Sequence, residues 1–190
     1  MKCFATLSYV LAAVSLSSVL AERVVYDWRL EYKNVNPDGL HERRVISIND
    51  QWPPAPVKLN INDTLVIHVH NKLNEPTVIH AHGINQNNRT NIYDGAGMVT
   101  QCPIPPNYDF TYEFPVTQAG TFWIHSHFKV QYMDGLRVPL IVYDPNEPFE
   151  YDQDEIITVS DWYHEDSYTN LEQYMNEDNL DGVEPIPRKL

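Results

Sequence analysis

Two short stretches decide how this chain is read: Val78-Ile79-His80-Ala81-His82-Gly83 and Gly120-Thr121-Phe122-Trp123-Ile124-His125-Ser126-His127. Each ends in a pair of histidines two residues apart, and each reads as a β-strand. On an extended strand, residues i and i+2 point to the same side, roughly 6.5 Å apart. One such pair therefore presents two imidazoles to one region of space, and two pairs on neighbouring strands present four. Neutral imidazole is a borderline-soft nitrogen ligand that suits copper, zinc, iron and nickel. The four histidines read as ligands of a metal centre, with copper as the leading ion.

The flanking sequence gives the fold class. Val24 to Tyr32, Arg43 to Asn49, Thr64 to Asn71, Val78 to His82, Tyr108 to Phe114, Gly120 to His127 and Leu136 to Tyr143 all read as strands. Thr64 to Asn71 shows it best, with Leu65, Ile67 and Val69 alternating against Val66, His68 and His70. Turns fall at Asn36-Pro37-Asp38-Gly39, in the Pro-rich connector Trp52 to Pro56, and in a long loop from Gly83 to Pro106. Many short strands with Gly and Pro turns predict an all-β protein, an antiparallel sandwich or Greek-key barrel.

That unit closes near Asp144-Pro145. An acidic connector follows, then a further expected strand at Glu155 to Asp161 and a short helix at Thr169 to Asn176. Thr169 and Glu172 fit a capping box, and Leu171, Tyr174 and Met175 share a face. The expected organisation is a signal peptide over 1–21, a first domain over 22–145, and the start of a second domain over 146–190. About 45 residues cannot easily bury a core of their own, so the second unit is expected to be truncated.

Residues Met1 to Ala21 carry one basic residue and then an apolar, small-residue run ending in Val19-Leu20-Ala21, which predicts a secreted or cell-surface protein. The net charge of −13 argues against nucleic acid and anionic membranes as partners. Asn62-Asp63-Thr64 and Asn88-Arg89-Thr90 are candidate glycosylation sites at Asn62 and Asn88. Once Cys3 leaves with the leader, Cys102 stands alone, which implies a missing partner or a free thiol.

The motifs, in order, are His80-Ala81-His82-Gly83, Asp94-Gly95, Thr100-Gln101-Cys102-Pro103-Ile104, Gly120 to His127, Gln131-Tyr132-Met133-Asp134-Gly135-Leu136 and Val142-Tyr143-Asp144-Pro145. In this series the chain resembles the N-terminal cupredoxin domain of fungal multicopper oxidases, the iron-transport ferroxidase and laccase group. The resemblance implies that His80 binds a type 2 copper and that His82, His125 and His127 bind paired type 3 coppers of a trinuclear cluster. It implies that the type 1 copper and the other four histidines lie outside this chain, and that Cys102 pairs with a cysteine outside this domain. Asp94 resembles the acidic residue that delivers protons to oxygen, and Trp123 the residue packed on the histidine strand. Glu184, before Pro185-Ile186-Pro187, resembles an iron-binding carboxylate of the ferroxidase branch.

The implied substrates are dioxygen with Fe(II) or a small phenol, and the implied partner of an intact ferroxidase is an iron permease. Two positions depart from the family pattern: Ala81 stands for a bulky residue and Val138 for a glycine.

Plainer readings stand beside these. Asp94 also suits a turn with Gly95, and Glu184 also suits a solvated acidic stretch. His68 and His70 share the i, i+2 spacing but match no family ligand, and read as a solvent-facing strand side. His41 and His164 read as surface residues. A stand-alone, non-catalytic copper-binding or interaction domain is the alternative function.

Overall fold

The structure, a computed structural model, describes residues 21–87, 89–179, 182 and 184. The expected leader and Asn88 lie outside the described residues. Among these residues, eight strands form two four-stranded sheets. β1 (Arg23–Val35), β2 (Arg43–Ile48), β4 (Thr64–Asn71) and β6 (Asp109–Pro115) make the first, in the order β2-β1-β4-β6. β3 (Val57–Asn60), β5 (Ile79–His82), β7 (Gly120–Ser126) and β8 (Arg137–Tyr143) make the second, in the order β3-β8-β7-β5.

The alternation read from the sequence is the reason the sheets stack. Leu65, Ile67 and Val69 of β4 are at most 1% exposed, as is Tyr112 of β6, and they meet Ile124 of β7 and Leu140 of β8 in one core. A fully buried Leu or Ile contributes about 1.5–3 kcal/mol, so this row fixes which face of each strand turns inward.

The sheets are not purely antiparallel. β1 runs parallel to β4 and β3 parallel to β8. The reason is β3, which the sequence reading placed in no element. It is only four residues long and follows the Pro-rich connector, yet Val57 and Leu59 are buried while Lys58 is exposed. It carries the chain across to the edge of the second sheet before β4 returns to the first.

The expected strand at Glu155 to Asp161 forms no ladder with any described residue. The helix α1 (Ser167–Tyr174) is present, but Thr169 does not cap it. Asp166 does, its side chain accepting the Thr169 N–H at 2.9 Å. Its apolar face is also not the buried one: Ser167 and Asn170 are buried, whereas Tyr174 and Met175 are exposed.

A polar anchor explains that orientation. Arg43 donates to Asp134 at 2.6 Å in a buried pair, and the Asp134 carboxylate also accepts the Ser167 N–H at 3.0 Å and the Ser167 hydroxyl. The Arg43 guanidinium lies 4.4 Å over the Trp162 ring, which packs on Trp52. Two charges taken out of water need such additional hydrogen bonds to be tolerated. The 162–170 segment is therefore docked on the sandwich through β2 and the turn before β8. Among the described residues no helix is long and apolar enough to cross a membrane.

Candidate metal centre

The register of β5 against β7 builds the site. His80 is paired with His125 and His82 with Trp123, while Ala81 pairs with Ile124. Paired residues share a face. Ala81 and Ile124 point into the core, so His80, His82, His125 and Trp123 point away from it on the outer face of the second sheet. His127 follows immediately after β7 and joins them. The His80 ring centroid lies 5.4 Å from each of the His82, His125 and His127 rings.

The two departures noted above meet on the inner side of this strand pair. Ala81, Ile124 and Val138 occupy neighbouring register positions across β5, β7 and β8. Val138, 1% exposed, supplies on one side of Ile124 the volume that Ala81 withholds on the other.

Hydrogen bonds fix which nitrogen each ring offers. The His80 Nδ1–H donates to the Asp94 carbonyl at 2.6 Å, and the His125 Nδ1–H donates to the Ser126 carbonyl at 2.8 Å. A carbonyl can only accept, so each ring is held in the tautomer whose Nε2 lone pair is free. His82 turns the other way, its Nδ1 lying 3.2 Å from the His125 Nε2. Two nitrogens at that separation subtend roughly 105° at an ion bound at about 2.0 Å, a normal ligand angle.

Donor atoms of His80, His82 and His125 all lie within 4.8 Å of one another. His127 sits at the rim, its ring 6.0 Å from that of His125. Burial, with the neighbouring imidazoles adding to it, pushes the His125 pKa down to about 4, so this ring is a neutral ligand at any ordinary pH.

The second layer is aromatic. Trp123 stacks on His125 with centroids 4.0 Å apart and on His82 at 5.4 Å. Tyr132 meets both Trp123 and His125 edge-on. The expected packing role of Trp123 is thus what the structure shows, while Tyr132, inside the Gln-Tyr-Met-Asp-Gly-Leu motif, was not singled out. An aromatic one residue from a tight turn carries no sequence signal that it will reach back to another strand.

Asp94 lies directly behind His80. Its backbone carbonyl holds the ring, and its carboxylate Oδ1 is 3.5 Å from the same Nδ1. Asp94 also ends the single-turn 3-10 helix Thr90–Tyr93. Gly95 follows with φ +79 and lies so close to β5 that a Cβ there would sit 2.0 Å from the Ile79 carbonyl oxygen. The turn with Gly95 therefore places Asp94 against His80.

Glu184 is exposed and lines a groove of about 410 Å³ with Tyr132, Met133, Tyr163, Leu171 and Tyr174, and Tyr132 in turn meets the His125 ring. Asn62 is exposed at the turn between β3 and β4. Cys102 is a free, exposed thiol among the described residues. His164 is not an ordinary surface residue: its Nε2 pairs with Asp38 at 2.6 Å and its ring stacks on His41.

Two sheets with an imidazole cluster on one outer face define a cupredoxin domain with a candidate metal centre. The comparisons with known proteins agree. The family described as Multicopper oxidase matches residues 29–147, and the chain belongs to that family. It is 44% identical, over 95% of its own length and 29% of the relative's, to "Iron transport multicopper oxidase fetC" of Epichloe festucae. It is 45% identical to "Laccase-1" of Agaricus bisporus, over 82% of this chain and 32% of the relative. Among solved structures, that of Fet3p, titled as a multicopper oxidase that functions in iron import, superposes with a TM-score of 0.84 at 36% identity, covering 88% of this chain and 32% of that one. The chain spans under a third of the length of each of these three proteins.

Proposed function

We propose that this chain provides half the ligands of a trinuclear copper cluster in a secreted or cell-surface oxidase that couples oxidation of Fe(II) to reduction of dioxygen to water. The donor set fits copper: four imidazoles, at least one held neutral, with two tautomers fixed by carbonyls. His80 would hold the type 2 ion, and His82, His125 and His127 the type 3 pair. His82 and His127 are exposed, so the face is open to further ligands from an opposing surface. When bound, the copper ions supply one-electron steps to dioxygen.

The chain's own residues position and protonate. Trp123 and Tyr132 hold the His125 ring by stacking and edge contact. The Asp94 carboxylate stands beside His80, half-exposed, where it can take a proton from solvent and hold it next to the site. Dioxygen reduction consumes protons as well as electrons, so a carboxylate at this position suits a relay.

The observation that favours iron over a phenol is Glu184. A hard carboxylate oxygen stabilises ferric over ferrous iron, and Glu184 lies in a groove bordered by Tyr132, itself against the cluster. The relatives named for iron transport and for laccase activity are similarly identical, so they do not separate the two. An iron permease as membrane partner follows only if iron is the substrate.

The test is oxygen uptake by the full-length product with Fe(II) and with a small phenol. Glu184→Ala is expected to raise KM for Fe(II) and leave phenol oxidation unchanged. Equal loss on both substrates, or phenol oxidation alone, overturns the iron reading in favour of a laccase.

A further inference from the structure

We propose that Gln131 is a positioning residue of the metal centre: through the Ser126 hydroxyl it fixes the backbone from which His125 and His127 project. This role rests on the histidine cluster taking a transition ion, and on no finer part of the function proposed above.

Gln131 is fully buried, as are Thr77 and Ser126. Its Oε1 accepts two hydroxyls, that of Thr77 at 2.8 Å and that of Ser126 at 2.7 Å. Its Nε2 donates to the Pro76 carbonyl at 2.9 Å. A carbonyl can only accept, so the amide has one orientation. None of the three side chains leaves a buried polar atom unpaired. A neutral amide suits this place, because it accepts twice and donates once with no charge to bury, whereas a carboxylate would have to be desolvated. Each bond in a buried network adds only modest net stability, but a network whose members are all satisfied fixes one geometry.

What it fixes is the end of the second histidine strand. The ladder of β5 with β7 ends with Ile79 against Ser126, so His127 lies beyond it. The His127 N–H reaches the Val78 carbonyl only at 3.4 Å. The Ser126 hydroxyl, while donating to Gln131, accepts the Phe128 N–H at 3.1 Å and so closes a side-chain turn around His127. The Ser126 carbonyl holds the His125 Nδ1–H. Ser126 thus governs the ligand on each side of it, and Gln131 ties Ser126 to Pro76 and Thr77, which lead into β5. His80 is held separately by Asp94, so the network bears on His125 and His127 more than on His80.

Titration of the chain with Cu2+, followed by calorimetry, tests this role. Gln131→Met and Ser126→Ala are each expected to weaken Cu2+ binding about tenfold or more, as when a partner behind a ligand is removed. Ser47→Ala deletes another fully buried hydroxyl, one bonded to the Glu31 carbonyl on the first sheet, and should leave the affinity as in the wild type. A second readout needs no metal. In 15N spectra of the metal-free chain, the His125 and His127 ring signals should shift in Gln131→Met and Ser126→Ala, while the amide signals of β4 and β6 stay in place.

Wild-type affinity in Ser126→Ala, or a loss as large in Ser47→Ala, overturns the proposal and leaves the metal centre standing. A wild-type chain that takes no Cu2+ at these histidines overturns the metal centre and this role with it. Should Gln131→Met fail to fold, Ser126→Ala, which keeps the Gln131 bonds to Thr77 and Pro76, decides the question.

Discussion

Replacing Gly95 by alanine should separate two effects that usually travel together. Gly95 has φ +79, and an added Cβ would meet the Ile79 carbonyl oxygen at 2.0 Å, its carbon at 2.5 Å and the His80 Cα at 2.9 Å. A residue with a Cβ in the left-handed region costs about 1–2 kcal/mol. The contacts add a second cost, because carbon atoms pack at about 3.5–4 Å and the obstruction is backbone that cannot swing away. Overpacking of this kind costs about 1–3 kcal/mol. A partial offset of about 0.4–1 kcal/mol comes from the stiffer unfolded chain.

Gly39 provides the control: its φ is +74, and nothing lies within 4 Å of its added Cβ. Gly39→Ala should therefore lose only the conformational part, and Gly95→Ala about 1–3 kcal/mol more. Urea unfolding followed by tryptophan fluorescence measures both. Because the displaced atoms are those of Ile79 and His80, Gly95→Ala should also lower Cu2+ affinity at the cluster, and Gly39→Ala should not. Equal destabilisation by the two variants would refute the claim that the Asp94-Gly95 turn is pressed against β5.

Other outcomes follow from the same structure. Asp134→Ala should destabilise the chain by about 3–5 kcal/mol, since it leaves the buried Arg43 charge unpaired, and hydrogen exchange should show α1 released from the sandwich. Val138→Gly should cost about 2–4 kcal/mol in urea unfolding, because it empties the side of Ile124 that Ala81 does not fill. The metal-free chain should lose stability as pH falls from about 6.5 toward 4. In that window the unfolded His125 takes up a proton and the folded one, held at about 4, does not; His125→Gln should flatten this part of the profile.

Much of the site was legible because its information is local. A His-x-His pair on a strand puts both rings on one face whatever the rest of the chain does, and the alternation in Thr64 to Asn71 marks a buried face without reference to a partner. Three things were not local. β3 is too short to stand out from its connector, and only pairing with β8 makes it a strand. The Asp134 carboxylate takes its partners from positions 91 residues before it and 33 after it, a juxtaposition no spacing rule contains. The same anchor turned α1 so that its polar side is buried, against the expectation from its apolar stripe.

The sequence by itself determined the candidate ligand types, their pairing on two strands and the all-β class, because these depend on side-chain chemistry and on the two-residue period of a strand. Only the tertiary structure decided which nitrogen each imidazole presents, since that depends on a carbonyl or carboxylate brought up from another segment: Asp94 for His80, Asp109 for His70.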